Sequence, residues 1–256
     1  MTFVQRIQSA KGKRLLIGGH RGHLSSKREN TIENFEEVAL AGVEYIEIDV
    51  QLSKDQQAVI YHDIDLSERS PLKGFVHDYT VEELKASFEL CTLDEAVCWC
   101  KEHHMYMLLE VKSRESECYL DRPVLAQEIA ACLTKHCFCE QCIVFSVDHR
   151  ILKMVKHLVP KVNLALIVPH IPHNPVELVR DMDAIIYLSF LENLSRPLID
   201  ELHDAGIIVD GSVVNTPERL EKALAMGVDM IESDYPEEII KLYQKKIEET
   251  KSCSAM

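Results

Sequence analysis

Short β-branched runs recur along the whole chain, most of them separated by segments of helical spacing, and this alternation limits the folds open to it. The runs are LLIGG (15–19), YIEIDV (45–50), AVIYH (58–62), MYMLLEV (105–111) and CIVFSV (142–147), followed by NLALIV (163–168), AIIYLSF (184–190), IIVDGSVV (207–214) and VDMIES (228–233). Between them, Ile32, Phe35, Val38 and Ala39 fall on one helical face, as do Leu93, Ala96, Val97 and Cys100, and again Leu125, Ile129 and Leu133. Thr216, Pro217 and Glu218 form a cap-and-proline helix start ahead of Leu220, Leu224 and Ala225. Only residues 51–57 separate the second run from the third, too few for a parallel crossover of about a dozen residues. AVIYH is therefore expected to fold back as a short antiparallel strand beside the second.

Eight strands remain, each followed by a helix, the last helix starting near Pro236. Eight such units predict an α/β fold with a single (β/α)8 TIM barrel, which typically fills about 250 residues. The chain has 256, and no repeat, linker or composition shift marks a second domain, so one domain is expected over 1–256. A doubly wound dinucleotide-binding sheet fits less well, because no GxGxxG opens a helix.

Buried parallel strands should read as nearly unbroken apolar runs. Several of these do not, and the exceptions sit at C-terminal ends, where barrel enzymes carry their chemistry. His20 and Arg21 end the first strand. Glu47 and Asp49 lie in the second at i and i+2 and so share a face. His62 and Asp63 end the folded-back strand, and Glu110 and Lys112 repeat the i, i+2 spacing. Three carboxylates facing one mouth repel one another unless a cation lies between them. All-oxygen ligation by Glu47, Asp49 and Glu110 suits a hard divalent ion, Mg²⁺ or Ca²⁺, with Mn²⁺ as an alternative. Two histidines supply proton transfer near pH 7, and Arg21 and Lys112 supply fixed positive charge for phosphoryl oxygens. Together they specify displacement at a phosphodiester, one histidine taking a proton from the nucleophile and the other protonating the leaving alkoxide.

Plainer readings exist for each group. Glu47 and Asp49 could be interior charges neutralised by Arg21 and Lys112, and His62 an ordinary turn residue. NTIE at 30–33 reads as an N-cap Asn30 with Glu33 three residues on, rather than as a substrate contact. His103 and His104 suit a helix C-terminus, and His170 and His173 flank a loop outside the core chemistry.

Lys and Arg number 28 against 42 Asp and Glu, a formal net charge of −14, which disfavours nucleic acid and anionic membranes as partners. No apolar run approaches the roughly 18 residues of a membrane span, and the first residues mix charge and polarity unlike a signal peptide. A cytoplasmic location is expected, with the nine cysteines as reduced thiols. The dense group His136, Cys137, Cys139 and Cys142 lacks the second knuckle of the usual zinc pattern. It reads as the cysteines of a helix end and the next strand, and no redox role is indicated.

The ordered set GHRG (19–22), ENT (29–31), EIDVQLSKD (47–55), VIYHD (59–63), TLDEAV (92–97), LLEVK (108–112), FSVD (145–148), VVN (213–215) and GVDMIESDYP (227–236) resembles the glycerophosphodiester phosphodiesterase family, within the phosphatidylinositol-phospholipase-C-like barrels. Arg69, Gly74, Val76 and the Glu83–Leu84 pair match as well. The resemblance covers nearly the whole chain and rests on the order of HRG, ExD, HD and ExK. It implies His20 and His62 as the catalytic acid/base pair, Glu47, Asp49 and Glu110 as metal ligands, and Arg21 and Lys112 as substrate phosphate contacts. The implied reaction is metal-dependent hydrolysis of glycerophosphodiesters to sn-glycerol 3-phosphate and an alcohol. In the implied route the glycerol 2-hydroxyl attacks phosphorus and water opens the resulting cyclic phosphate.

The family commonly carries a Trp in a W-T-V-N strand end; here Ser212 stands in its place, and the single Trp, Trp99, falls on a helix. The wall around the glycerol is therefore expected to differ. Only about 42 residues separate His62 from Met105, too few for an inserted capping domain. The runner-up reading is a lysophospholipase D-type or cyclising phosphodiesterase acting on lysophospholipids. A third is a barrel that binds a phosphate ligand without turnover, since fold alone does not imply catalysis.

Overall fold

The computed structural model of the chain describes residues 1–23, 27–113 and 122–254. Its strands are β1 (Leu16–His20), β2 (Tyr45–Leu52), β3 (Ala58–Ile60), β4 (Cys91–Thr92), β5 (Tyr106–Val111), β6 (Cys142–Ser146), β7 (Asn163–Ile167), β8 (Ile186–Phe190), β9 (Ile208–Ser212) and β10 (Met230–Ser233). Its α-helices are α1 (Phe3–Ala10), α2 (Ile32–Leu40), α3 (Val81–Ser87), α4 (Leu93–Glu102), α5 (Arg122–Lys135), α6 (His149–Leu158), α7 (Pro175–Asp181), α8 (Arg196–Asp204), α9 (Pro217–Met226) and α10 (Pro236–Ser254).

Eight strands run parallel in the order β1-β2-β5-β6-β7-β8-β9-β10, and β1 pairs with both β2 and β10. The sheet is thus closed, as the count of βα units predicts: a TIM barrel. The fold-back strand β3 lies antiparallel on β2, with Val50 opposite Ile60 and Leu52 opposite Ala58. It is shorter than the expected 58–62, so His62 sits just beyond its end. A further strand, β4, pairs on the outer edge of β3; two residues are too few to show a period in the sequence.

Strand residues facing outwards pack against the helices in one extended core that includes Phe35, Val97, Leu109, Ile129 and Val209. The barrel interior forms a second core, with Tyr45, Leu108, Ile143 and Ile208. Helix α1, which the sequence reading left unassigned, inserts Phe3, Ile7 and Ala10 into that interior. Its start is a capping box, Thr2 Oγ1 accepting from the Gln5 N–H at 3.1 Å while Gln5 Oε1 accepts from the Thr2 N–H at 3.0 Å. The Phe3 N–H bonds to the Glu140 carbonyl and Lys11 Nζ to the Ile207 carbonyl, both just ahead of strands. The helix therefore plugs the N-terminal end of the barrel and leaves the opposite mouth for chemistry.

Candidate active site

Strand register brings the ionisable residues together. His20 is the register partner of Glu47 on the neighbouring strand, and Asp49 is the partner of Glu110. Arg21 then turns with φ 57°, and its N–H donates to both the backbone and the side chain of Glu47, at 2.9 and 3.1 Å. Gly22 follows at φ 100°, where a Cβ would stand 1.7 Å from Asn34 Oδ1. Only glycine fits that approach. Asn34, buried on α2, accepts from the His23 N–H and donates to the His23 carbonyl, both at 2.7 Å. The HRG turn is thereby fixed to the first outer helix.

Ligand oxygens of Glu47, Asp49 and Glu110 all lie within 4.8 Å of one another. Burial, with the charges of Asp49 and Glu110, pushes the Glu47 carboxyl well above the usual carboxylate range. Burial also raises Glu110, although Lys112 opposes it. Burial works in the same direction on Asp49, but Lys112, His62 and Arg21 outweigh it and hold that carboxyl low. Lys112 Nζ is 2.9 Å from Glu110 Oε1 and 3.4 Å from Asp49 Oδ1, and Arg21 Nε is 3.6 Å from Asp49 Oδ2. Asn30 does not cap α2: Thr31 does, and Asn30 Nδ2 instead donates to Asp49 Oδ2 at 2.9 Å. The cap lies one residue later than expected because both side chains can cap, and Asn30, at φ 59°, turns inward.

Each histidine is oriented by a carboxylate. His20 Nδ1 lies 2.6 Å from Asp234 Oδ1, and Asn215 Nδ2 donates to Asp234 Oδ2 at 2.5 Å. His62 Nδ1 lies 2.6 Å from Asp63 Oδ1, whose other oxygen is 3.2 Å from Arg69 Nε. A carboxylate accepts, so each Nδ1 carries the proton and Nε2 is the basic nitrogen. Burial lowers the His62 imidazole, and Lys112 and Arg21 add to that while Asp49 opposes it. Both rings line one cavity of about 270 Å³, shared with Lys27, Arg28, Arg69 and Asp234. Arg21 and Lys112, the expected phosphate contacts, are engaged with the carboxylates and do not line it.

The donor set fits a hard cation. It is all oxygen, mutually repulsive, and Asp49 Oδ1 is buried without a hydrogen bond. Two cations and three clustered carboxylates beside two proton-transfer groups form a site for anionic, phosphoryl-bearing ligands.

The model of the glycerophosphoryl diester phosphodiesterase family matches residues 20–238. The chain belongs to this family. With it the chain takes its place among the phosphoric diester hydrolases. A relative named glycerophosphodiester phosphodiesterase, from Caldanaerobacter subterraneus, is 28% identical over 242 residues, covering 90% of this chain and 98% of the relative. A solved structure from Silicibacter pomeroyi matches with a TM-score of 0.86 at 20% identity, covering 94% of this chain and 97% of that one. A phosphodiesterase from Oleispira antarctica, solved with its product sn-glycerol-3-phosphate, matches with a TM-score of 0.83 at 24% identity, covering 92% and 98%. These structural likenesses speak to the fold.

Ser212, where the resemblance leads to the expectation of a Trp, faces two carboxyls. Ser212 Oγ sits 2.7 Å from Asp210 Oδ1 and also bonds the Glu232 carboxylate, both carboxyls being buried. Burial and the neighbouring Glu232 push the Asp210 carboxyl well above its usual range. Trp99 packs in the core between barrel and helices, tilted on Phe35 with centroids 5.5 Å apart and donating to Glu36 at 2.7 Å. The sequence reading did not assign roles to Asp234, Asn215, Arg28 or Lys27. Asp234 directly follows the last barrel strand, and it and Asn215 both fall in stretches that carry the resemblance.

Proposed function

We propose that the chain hydrolyses glycerophosphodiesters to sn-glycerol 3-phosphate and the head-group alcohol, as one phosphodiesterase domain over 1–256. The observation that carries this reading is the pair of carboxylate-oriented histidines sharing a cavity beside three clustered carboxylates. A divalent cation held by Glu47, Asp49 and Glu110, Mg²⁺ or Ca²⁺, would polarise a phosphoryl oxygen and offset developing charge. His20 and His62 exchange the protons: one Nε2 accepts from the attacking hydroxyl and the other, protonated, delivers to the leaving alkoxide. Arg21 and Lys112 hold the Asp49 carboxyl low and add positive potential toward the phosphate, and Arg69 holds Asp63, hence His62, in orientation. The product seen in the Oleispira antarctica enzyme supports the same product here. The net charge of −14 and the lack of any helix long and apolar enough to cross a membrane among the described residues accord with small-molecule substrates in a cytoplasmic setting, without nucleic acid.

The test is chelator-treated protein incubated with glycerophosphocholine, glycerophosphoethanolamine or glycerophosphoglycerol, with and without Mg²⁺, Mn²⁺ or Ca²⁺, reading glycerol 3-phosphate. Metal-dependent release is expected, and His62→Ala should lose roughly 10²–10⁴-fold in turnover. Full activity of both His20→Ala and His62→Ala would remove the mechanism.

One observation favours the lysophospholipid reading as a second activity. Val147, Ile171 and Phe190, just after or at the ends of β6, β7 and β8, are 49%, 71% and 54% exposed. Exposed apolar side chains at strand C-termini offer contact to an acyl chain. Release of choline from dispersed lysophosphatidylcholine at a rate matching the glycerophosphodiesters would support it, and no release would dismiss it.

A further inference from the structure

Away from the mouth, helices α4 and α5 pack side by side and bring together three side chains of a different chemistry. Asp94 and Cys98 stand at i and i+4 on α4, one above the other on one face. His136 follows the last turn of α5, its N–H still bonded to the Cys132 carbonyl at 3.1 Å. One ligand atom from each of Asp94, Cys98 and His136 lies within 4.8 Å of the other two. His136 Nε2 is 2.7 Å from Asp94 Oδ1 and 4.0 Å from Cys98 Sγ. All three residues are partly exposed, so an ion has access, while Cys132 beside them is buried.

The geometry points to a Zn²⁺ site formed by Asp94 Oδ, Cys98 Sγ and His136 Nε2, with water in the fourth position. Zn²⁺ takes tetrahedral oxygen, nitrogen and sulfur donors at about 2.0–2.3 Å, which places nitrogen and sulfur about 3.6 Å apart. The observed 4.0 Å needs a shift of a few tenths of an ångström. The Asp94–His136 contact opens by a little more as the hydrogen bond gives way to the ion. Lys135 Nζ, 2.6 Å from Asp94 Oδ1, is a mobile competitor: its side chain is 64% exposed and can turn to solvent. The donor set separates this site from the mouth. Sulfur and imidazole favour a borderline ion, whereas Glu47, Asp49 and Glu110 favour a hard one. Binding ties two outer helices that otherwise meet through packing and a few surface polar contacts, so the ion acts as a clip in the helical layer.

The experiment uses the full chain, reduced and chelator-stripped, with excess Mg²⁺ present and Co²⁺ as the optical probe. A thiolate-to-cobalt charge-transfer band saturating at one equivalent, and bleached by Zn²⁺, is expected. Cys98→Ser should abolish the band, His136→Gln should weaken binding by about 10-fold or more, and Glu47→Gln should leave both unchanged. Zn²⁺ should also raise the thermal midpoint of the parent and of Glu47→Gln but not of Cys98→Ser. No band in the parent protein, or a band that survives Cys98→Ser, would overturn the proposal.

Discussion

His20, which ends the first strand of the barrel, and Asp234, which directly follows the last, are joined at 2.6 Å just beyond the paired residues Gly19 and Ser233. The carboxylate fixes the ring so that Nε2 faces the cavity. Asp234→Asn keeps the shape but replaces the acceptor with a group that cannot stabilise an imidazolium. Turnover is expected to fall by roughly 10–100-fold with KM nearly unchanged, measured as steady-state kinetics on glycerophosphocholine. A loss confined to KM would mean that Asp234 contacts substrate instead.

Glu47 offers a test of the cation site without turnover. Its folded pKa is raised by burial and by Asp49 and Glu110. In protein free of divalent ions, its contribution to stability is therefore fully present below the ordinary carboxylate range and is lost as pH rises through the raised value. Glu47→Gln should raise the thermal midpoint of the metal-free protein near neutral pH, and it should remove most of the further rise produced by Mg²⁺ or Ca²⁺. An unchanged metal-induced shift in the variant would exclude Glu47 as a ligand.

Asp210 provides the same sign at a second buried carboxyl, beside Glu232. Its pKa is raised by burial and by Glu232, so the native state loses stability as pH climbs from the ordinary aspartate range through the raised value. Asp210→Asn is expected to be neutral in mild acid and increasingly stabilising towards alkaline pH, read as denaturation midpoints across a pH series. A difference that shrinks with rising pH would contradict the assignment.

Asp148 caps α6 through the Arg150 N–H at 3.0 Å, accepts from Ser113 Oγ at 2.9 Å, and is ion-paired to the buried Arg122. Asp148→Ala removes the α6 cap and the acceptor of the Ser113 hydroxyl. A loss of about 1–2 kcal/mol is expected from the cap alone, measured by urea unfolding.

Much of the fold was legible because buried parallel strands leave near-continuous apolar runs, and the short 51–57 gap identified β3 by arithmetic alone. The ionisable residues were legible for the complementary reason: His20, Glu47, Asp49 and Glu110 interrupt those runs. What remained hidden depends on distant pairing. Nothing local tells that Asn30 reaches Asp49 while its neighbour Thr31 caps α2. Nor does spacing show that His136 meets Asp94, 42 residues earlier, since helix-to-helix contact is set by tertiary packing. Helix α1 is hard to read although Thr2 and Gln5 carry a capping-box pattern, because its 8 residues are too short a stretch for the apolar period to stand out.

Closure of the barrel through β1 and β10 also has a consequence for synthesis. Asp234 is made 214 residues after His20, so a chain growing from the ribosome acquires its histidines early and their full alignment only near the end. Premature catalysis by unfinished chains is thereby disfavoured, and ribosome-stalled chains ending before Met230 should be inactive, even with β1, β2 and β5 already emerged.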